Sequence, residues 1–249
     1  MVNLLSVKKL KCGSVFNNIS FNIAEKTFNI LIGKNGVGKT ALVYSILGLI
    51  KYEGEIIFKY ERKDIGCISD FSEIIEDNIF EYLSKPLKNL GYSDDKAKKT
   101  TYSVTKKLGI NNLLDKSKNE LDSEQRLLVL LAHTIIHNPK LVIIDNTLDE
   151  LHESSKLKFI NCLLSMNATV ILITNDSRYF KYAKKLLIMT KSSIEIVKDK
   201  ISITKLENLL NKNNSELTFS LELSHKLYEY GIIDTLYNDN SELVEHIWK

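Results

Sequence analysis

The chain has 249 residues, and 44% of them are hydrophobic, which suffices for one large domain with a buried core or for a domain with an appendage. Its 34 Lys and Arg residues nearly balance its 31 Asp and Glu residues, so the net charge does not predict binding to nucleic acid or to a membrane surface. Cys12, Cys67 and Cys162 are widely separated, which disfavours a disulfide framework or a zinc site, and no apolar run approaches the roughly 20 residues of a transmembrane helix.

The first predicted elements are strands that precede a glycine-rich loop. Between Asn18 and Ile23 polar and apolar residues alternate, which is typical of a half-exposed strand and predicts a partly antiparallel beginning. The apolar run from Phe28 to Ile32 ends at Gly33, and apolar residues then recur at helical spacing as far as Ile50. The predicted order is therefore strand, glycine loop, helix.

An α/β core with a helical insertion is predicted further along the chain. Residues 70–131 show helical spacing, with Ile75 and Ile79 on one face, so a helical subdomain is expected at residues 71–137. Residues 205–249 form short amphipathic segments and are predicted to be a C-terminal extension of a domain that covers residues 1–204. Buried parallel strands are expected at Leu141–Ile144, Val170–Ile173 and Leu186–Met189.

The glycine-rich loop fits the phosphate-binding pattern GxxxxGK[ST] and lies between a strand and a helix, as that pattern requires. Glycines let successive backbone N–H groups point into one concavity, and the helix N-terminus adds a favourable potential for an anion. Lys39 is expected to reach the β- and γ-phosphates, and Thr40 is expected to bind Mg²⁺. The candidate nucleotide-binding residues are Gly33, Lys34, Asn35, Gly36, Val37, Gly38, Lys39, Thr40 and Ala41.

This loop and four later motifs resemble the ATP-binding cassette (ABC) family over residues 1–200. Asn35 within the loop is similar to the family's version, and the strand that ends at Asp145 resembles its Walker B motif, which would orient Mg²⁺. Asn138-Pro139 precedes that strand, and Thr174-Asn175-Asp176 stands where the family has THD. The residues at the place of the LSGGQ signature are Leu121, Asp122, Ser123, Glu124 and Gln125. The resemblance implies a P-loop NTPase fold, with a RecA-like core, an antiparallel β subdomain and an inserted α-helical subdomain.

A narrower resemblance is to the ATPases of energy-coupling factor (ECF) importers. The segment from Pro86 to Gly91 and the tail from Leu221 to Glu245 are similar to parts of that group. The resemblance implies ATP and Mg²⁺ as ligands, a cytoplasmic location on the inner face of the cell membrane, and an integral membrane transporter subunit as partner. It also implies a second ABC subunit, for which a different chain is favoured over a second copy, and no nucleic acid.

Three positions differ from the family where it places its chemistry. Asn146 follows Asp145 at the place of the glutamate that polarises the attacking water, and an amide cannot accept a proton. Asn175 stands at the place of the switch histidine, so it can hydrogen-bond but cannot become cationic. Asp70 replaces the Q-loop glutamine and is a further candidate ligand for Mg²⁺. Because Lys39 and Asp145 are intact while the catalytic positions Asn146 and Asn175 are altered, ATP binding with weak hydrolysis is predicted.

The signature differs as well, because Asp122 and Glu124 replace a serine and a glycine that face the partner's γ-phosphate in the family. Unit like charges about 4 Å apart repel by roughly 4 kcal/mol at an effective dielectric near 20, so weak closure of that site is expected unless both side chains turn away. His152 stands at the place of the D-loop aspartate.

Three charged or titratable groups lie outside these motifs. The acidic run from Glu73 to Glu81, with Asp70, is either a solvated helix face or a docking surface for basic helices of a membrane subunit. The lysine-rich stretch from Lys96 to Lys107 is predicted to be a solvated helix face. His133 and His137 share a helical face without a third metal ligand in the sequence.

Two alternative functions stay open at this point. One is a switch of the same fold that acts on nucleic acid or protein, against which stands the lack of a basic stripe and of coiled-coil arms. The other is a fully active homodimeric ATPase, which requires that Asn146 and the signature anions be tolerated.

Overall fold

The computed structural model describes residues 2–69 and 72–198, together with Val244. Asp70 and the predicted extension at residues 205–249, apart from Val244, lie outside the described residues. The helices and strands of the described part follow in chain order: β1 (Asn3–Cys12), β2 (Phe16–Ala24), β3 (Phe28–Ile32), α1 (Lys39–Leu47), β4 (Glu53–Phe58), β5 (Ile65–Ile68), α2 (Ile79–Asn89), α3 (Asp94–Leu108), α4 (Ser123–Ile135), β6 (Leu141–Asp145), α5 (Glu153–Ser165), β7 (Thr169–Ile173), β8 (Lys185–Met189) and β9 (Ile194–Lys198).

The described residues divide into two compact units. The first unit comprises the described residues of Met1–Leu4, Ala24–Lys26 and Phe58–Leu172, and it contains helices α2 to α5 with strands β5, β6 and most of β7. The second unit comprises those of Leu5–Ile23, Thr27–Ile57 and Ile173–Lys249, and it contains α1 and the remaining strands. The predicted α/β class is confirmed.

The first unit is built on parallel strands. Strand β5 pairs in parallel with β6, from Ile65 opposite Leu141 to Ile68 opposite Ile144, and β7 lies on the other side of β6. Every residue of β6 and of β7 is buried, as expected for parallel strands covered on both faces. Gly66 on β5 lies against α4, because an added Cβ would stand 2.2 Å from the Thr134 carbonyl oxygen.

The helices of the first unit begin at polar capping residues. The side chain of Asn78 caps α2 by accepting a hydrogen bond from Glu81 N, and that of Ser93 caps α3 by accepting one from Lys96 N. The sequence-based placement of Ile75 on the helical face is wrong, because α2 begins at Ile79 and leaves Ile75 67% exposed in the preceding segment.

The second unit holds a three-stranded sheet of order β2-β1-β4 and the strands β3, β8 and β9. Along β2 the alternation is as predicted, since Ile19, Phe21 and Ile23 are buried while the residues between them are exposed. Strand β3 pairs in parallel with β8, and β8 pairs in antiparallel fashion with β9. The carboxyl end of β3 delivers the chain into the glycine-rich loop that precedes α1.

Within residues 2–69 and 72–198, no helix is both long enough and apolar enough to cross a lipid bilayer.

Candidate functional site

Sterically constrained glycines shape the loop between β3 and α1. Gly36 and Gly38 have φ angles of 76° and 104°, in the left-handed region that a residue with a Cβ rarely adopts. A Cβ at Gly38 would also lie 2.6 Å from Val15 Cγ1, and one at Gly33 would lie 2.8 Å from the Met189 carbonyl oxygen. The glycines of the predicted pattern are therefore required by the backbone and by close neighbours.

The start of α1 has the character of an anion-binding site. Gly38 occupies the N-cap position, and among the described residues no side chain caps the helix there. The first N–H groups of a helix lack intrahelical acceptors and carry a partial positive charge. Lys34, Asn35 and Gly36 at the tip of the loop are exposed, whereas Val37 is buried and anchors the loop. The loop thus presents backbone donors to solvent from a fixed base.

Lys39 lies within the curve of this loop. Its side chain is buried, with the residue 6% exposed, and its Nζ donates hydrogen bonds to the carbonyl oxygens of Gly33 at 2.6 Å and Lys34 at 3.1 Å. These bonds hold the ammonium group against the loop, where a phosphate group would find its charge already desolvated and oriented.

Asn175 contacts the first residue of the loop. Its Oδ1 accepts a hydrogen bond from the backbone N–H of Gly33 at 3.2 Å, while Thr174 N donates to the Leu31 carbonyl oxygen at 3.2 Å. The segment that follows β7 is thereby joined to the end of β3 and to the loop. Sequence reasoning placed Asn175 at the site but did not foresee this tether, since the two partners are 142 positions apart.

Asp145 and Asn146 lie in the first unit, at the carboxyl end of β6. Asp145 is 3% exposed, and the pKa of Cys67 on the adjacent strand is raised to about 12 by burial and, secondarily, by the negative charge of Asp145. Asn146 is exposed and has a φ angle of 53°. Asparagine tolerates this left-handed conformation better than most residues, so the amide suits the backbone at this position.

The two anions of the signature have partners within the chain. Asp122 is the N-cap of α4, and its Oδ1 accepts a hydrogen bond from Gln125 N at 2.8 Å. Glu124 accepts a hydrogen bond from His152 N at 3.2 Å and lies 3.3 Å from His152 Nε2. Both carboxylates are therefore engaged on the surface of the first unit, and their effect on a partner's phosphate stays a prediction.

A cavity of about 460 Å³ lies beside the signature in the first unit. Its lining combines hydroxyl-bearing and apolar residues, and Thr147 is buried with an Oγ1 that has no hydrogen-bond partner among the described residues. Arg126 and Glu150 are exposed at its rim. The lining residues are Ile68, Ser69, Ser72, Leu121, Ser123, Arg126, Leu127, Leu130, Thr147 and Glu150.

The acidic run is partly neutralised by α2. Glu76 pairs with Lys85, and Glu81 lies 3.8 Å from Lys88. The run itself contains no basic residue along the chain, but lysines of α2 lie beside it in space. Glu73 is exposed next to the 67% exposed Ile75, so this segment presents a carboxylate and an apolar side chain together.

His133 and His137 are partly buried on α4 and the segment after it. The ring of His133 stacks on Tyr82 of α2, with centroids 4.3 Å apart and planes at 17°. Burial, with a smaller contribution from His137, lowers the pKa of His133 to about 4, so this ring is neutral near pH 7. In the part of the chain that the structure describes, no group of three or more His, Cys, Asp or Glu residues could hold a metal ion.

Comparison with known proteins places these features among ABC proteins. The profile of the family described as ABC transporter matches residues 16–149. The energy-coupling factor transporter ATP-binding protein EcfA1 of Ureaplasma parvum is 26% identical over 94% of this chain and 86% of its own length. EcfA2 of Caldanaerobacter subterraneus is 24% identical over 86% of this chain and 82% of its own length.

A solved structure shares the fold. It is that of CbiO1 from Clostridium perfringens, described as part of the ABC transporter complex CbiONQ. The two structures superpose with a TM-score of 0.72 at 21% identity, over 92% of this chain and all of the other. The predicted resemblance to ABC proteins, and to the ECF ATPases among them, is confirmed by these similarities.

Proposed function

This chain belongs to the ABC transporter family, and from that premise we propose that it is the ATP-binding, energy-coupling subunit of a membrane transporter of the ECF type. The observation that carries the proposal is the phosphate loop, in which constrained glycines, an uncapped helix N-terminus and the Lys39 ammonium converge. The ECF relatives align with more than four fifths of the chain, which supports the narrower assignment.

The proposal assigns recognition of the nucleotide phosphates to the residues from Gly33 to Ala41. The loop N–H groups and the α1 N-terminus would bind the phosphate oxygens, and the Nζ of Lys39 would exchange its carbonyl acceptors for them. The Thr40 hydroxyl and the Asp145 carboxylate offer the hard oxygen ligands that Mg²⁺ prefers. When bound, Mg²⁺ would neutralise charge that develops on the β- and γ-phosphates.

Hydrolysis is proposed to be slow. Asn146 can orient a water molecule but cannot take its proton, and the loss of a general base costs on the order of 10² to 10⁴-fold in rate. The Asn175 side chain already accepts a hydrogen bond from the Gly33 N–H, and an amide has no cationic form. ATP binding rather than turnover would then supply most of the energy that moves a membrane subunit.

The proposed partners are a second, different ABC subunit and an integral membrane subunit, which would hold the chain peripherally on the cytoplasmic face of the membrane. A different partner is favoured because a pair of identical chains would have an altered base and an altered signature in both of its sites. For the membrane subunit, the segment with exposed Glu73 and Ile75 next to the cavity at Ser72 is the proposed docking surface.

Calorimetric titration with Mg-ATP tests the nucleotide proposal. The wild-type chain should bind ATP, and Lys39→Ala should lose that binding, because the desolvated ammonium is the main phosphate contact. Lys51→Ala is the control, since Lys51 is an exposed lysine that lies outside the residues from Gly33 to Ala41. Equal affinity of wild type and Lys39→Ala for Mg-ATP would contradict the proposal.

Copurification tests the docking surface separately. Reversal of charge at Glu73 and Glu76 should abolish assembly with the membrane subunit, whereas reversal at Glu53 and Glu55 on β4 adds the same charge elsewhere and should not. Unchanged assembly in the first variant would make the acidic run a solvated surface.

A further inference from the structure

The outward face of α3 carries lysines that form no ion pair with any carboxylate in the described part of the chain. On α2, Lys85 pairs with Glu76, and Lys88 lies 3.8 Å from Glu81 and 3.5 Å from Asp94. On α3, by contrast, Lys98, Lys99 and Lys106 take part in no ion pair within the described part of the chain. The lysines of α2 are therefore paired with carboxylates of the same chain, whereas these three lysines of α3 are not.

These lysines share one face because of the way α3 packs. Ala97, Thr101, Thr105 and Leu108 are buried at helical spacing, which turns the opposite side of the helix to solvent. A shallow concavity of about 440 Å³ lies on that side and is lined by Asp95, Lys98, Lys99, Tyr102, Ser103 and Lys106. We call these six residues the α3 lysine face.

Tyr102 stands in the middle of this face. It is 44% exposed, and its ring centroid lies 6.2 Å from that of Phe80 on α2. Lys98 and Lys106 stand one helical turn before and after it along the same side of the helix. Asp95 is the single acidic member and sits in the first turn, where the helix dipole stabilises its charge.

We propose that the α3 lysine face binds the anionic headgroups of a phospholipid membrane, an inference that rests on the proposed function at a membrane. Clusters of basic residues on an amphipathic helix are typical of attraction to anionic lipid, and three of the six residues of this face are lysines. An exposed tyrosine between lysines suits the headgroup layer, where its ring and hydroxyl meet apolar and wet surroundings.

The composition of the face favours lipid over the other anionic partners. Lysine is depleted in the cores of protein interfaces, where arginine, tryptophan and several aromatic residues would be expected, and this face has no arginine. A short face with three lysines is also too small to follow a nucleic-acid backbone over several phosphates. Long, flexible ammonium side chains match a fluid surface of headgroups, which requires no fixed geometry.

Sedimentation with lipid vesicles tests the proposal on the full chain. Wild-type protein should bind vesicles with roughly 30% phosphatidylglycerol, not vesicles of phosphatidylcholine alone, and should dissociate as salt rises from about 0.05 M to about 0.3 M. Lys98→Gln, Lys99→Gln and Lys106→Gln together should weaken binding by on the order of 100-fold, since each lysine near such a surface contributes about fivefold.

The matched control is Lys8→Gln, Lys11→Gln and Lys63→Gln, which removes the same charge from exposed lysines that are paired with Glu55, Glu53 and Glu61. It should bind anionic vesicles within about threefold of wild type. Each variant is also titrated with Mg-ATP to check that its fold and nucleotide site are intact. Loss of ATP binding would count against the proposed function, whereas loss of vesicle binding alone concerns the α3 lysine face. Equal vesicle binding by both triple variants, or tighter binding of duplex DNA or polyglutamate through the same lysines, would overturn the proposal.

Discussion

At the scale of single residues, Asn146 lacks a carboxylate that could accept a proton, but its side chain suits the left-handed backbone at this position. Its φ angle of 53° costs a residue other than glycine, asparagine or aspartate about 1–2 kcal/mol. Aspartate shares the tolerance of asparagine and restores a carboxylate, whereas glutamate restores one at the expense of backbone strain. The two substitutions therefore separate catalysis from stability.

We expect Asn146→Asp and Asn146→Glu both to raise single-turnover hydrolysis of bound ATP, by up to about 10²-fold, because each supplies a proton acceptor. Asn146→Glu should also unfold at lower urea concentration than Asn146→Asp. Hydrolysis is measured as the phosphate released from protein that has been preloaded with ATP. Asn146→Ala is the control, since it adds strain without a base; a rise in hydrolysis with that variant would contradict the assignment.

Residue identities at the site could be predicted from the sequence, but their partners could not. The left-handed backbone of Gly36 and Gly38 and the position of Lys39 inside the loop follow from a local pattern whose geometry is fixed by adjacent backbone. The contact between Glu124 and His152 spans 28 positions, so no local pattern indicates it. The capping role of Asp122 had a visible signal, since an aspartate followed three residues later by glutamine before an apolar run marks a helix start.

At the scale of elements, apolar runs predicted the strands well because burial on both faces leaves little choice of residue. Strands β3, β6, β7 and β8 contain the predicted runs. The start of α2 was misplaced because Ile75 keeps helical spacing although it lies before the Asn78 cap. The spacing of apolar residues indicates which side of a helix could be buried, whereas the capping residue determines where the helix begins.

The contact between β5 and α4 depends on the absence of a side chain at Gly66. A Cβ there would stand 2.2 Å from the Thr134 carbonyl oxygen, far inside van der Waals contact, so the helix or the strand must move. We expect Gly66→Ala to lower the free energy of unfolding by roughly 2–3 kcal/mol, measured by urea denaturation.

The control for this prediction is Gly91→Ala, which also replaces a glycine but has open space around an added Cβ. Its φ angle of 82° should cost about 1–2 kcal/mol through backbone strain alone. If Gly66→Ala proved no more destabilising than Gly91→Ala, the close approach of α4 to β5 would not limit the stability of the first unit.

The stacking of α2 on α4 makes stability depend on pH. The pKa of His133 is about 4 in the folded chain, lowered by burial and then by His137, against an ordinary value of 6.5. The unfolded chain therefore binds the proton more tightly, so this contribution to stability is complete above pH 6.5 and is lost as pH falls from 6.5 towards 4. The loss is at most about 3 kcal/mol and smaller for a ring that is partly exposed.

We expect His133→Phe to keep the stacking on Tyr82 and to remove this loss, so that its advantage over wild type in urea denaturation grows from pH 7 to pH 4. His137→Gln is the control. Burial also lowers the pKa of His137, but Asp64 opposes that shift, so its effect on the pH profile should be smaller. A constant difference between wild type and His133→Phe over this pH range would contradict the role of His133.

At the scale of the whole molecule, the question is how this chain pairs with another ABC subunit. The signature of one subunit is expected to approach the nucleotide of the other, and here that surface carries Asp122 and Glu124. Each carboxylate accepts a backbone hydrogen bond within its own chain, which offsets part of its charge but leaves a net negative surface for an approaching γ-phosphate. We therefore predict that binding of ATP and closure of the pair are separable.

Neutral substitutions that preserve the hydrogen bonds test this without disturbing the fold. Serine at position 122 is as good a helix N-cap as aspartate, and glutamine at position 124 can still accept from the His152 N–H. We expect Asp122→Ser with Glu124→Gln to tighten Mg-ATP-dependent dimerisation by 10-fold or more, because roughly 4 kcal/mol of repulsion at about 4 Å is removed. Dimerisation is measured by sedimentation velocity, and all variants keep Asn146 so that bound ATP is hydrolysed slowly. The single variant Asp122→Asn is a control that removes one charge and keeps the cap, and it should give an intermediate effect. Association that is equally weak in all of these proteins would mean that the two anions do not limit pairing.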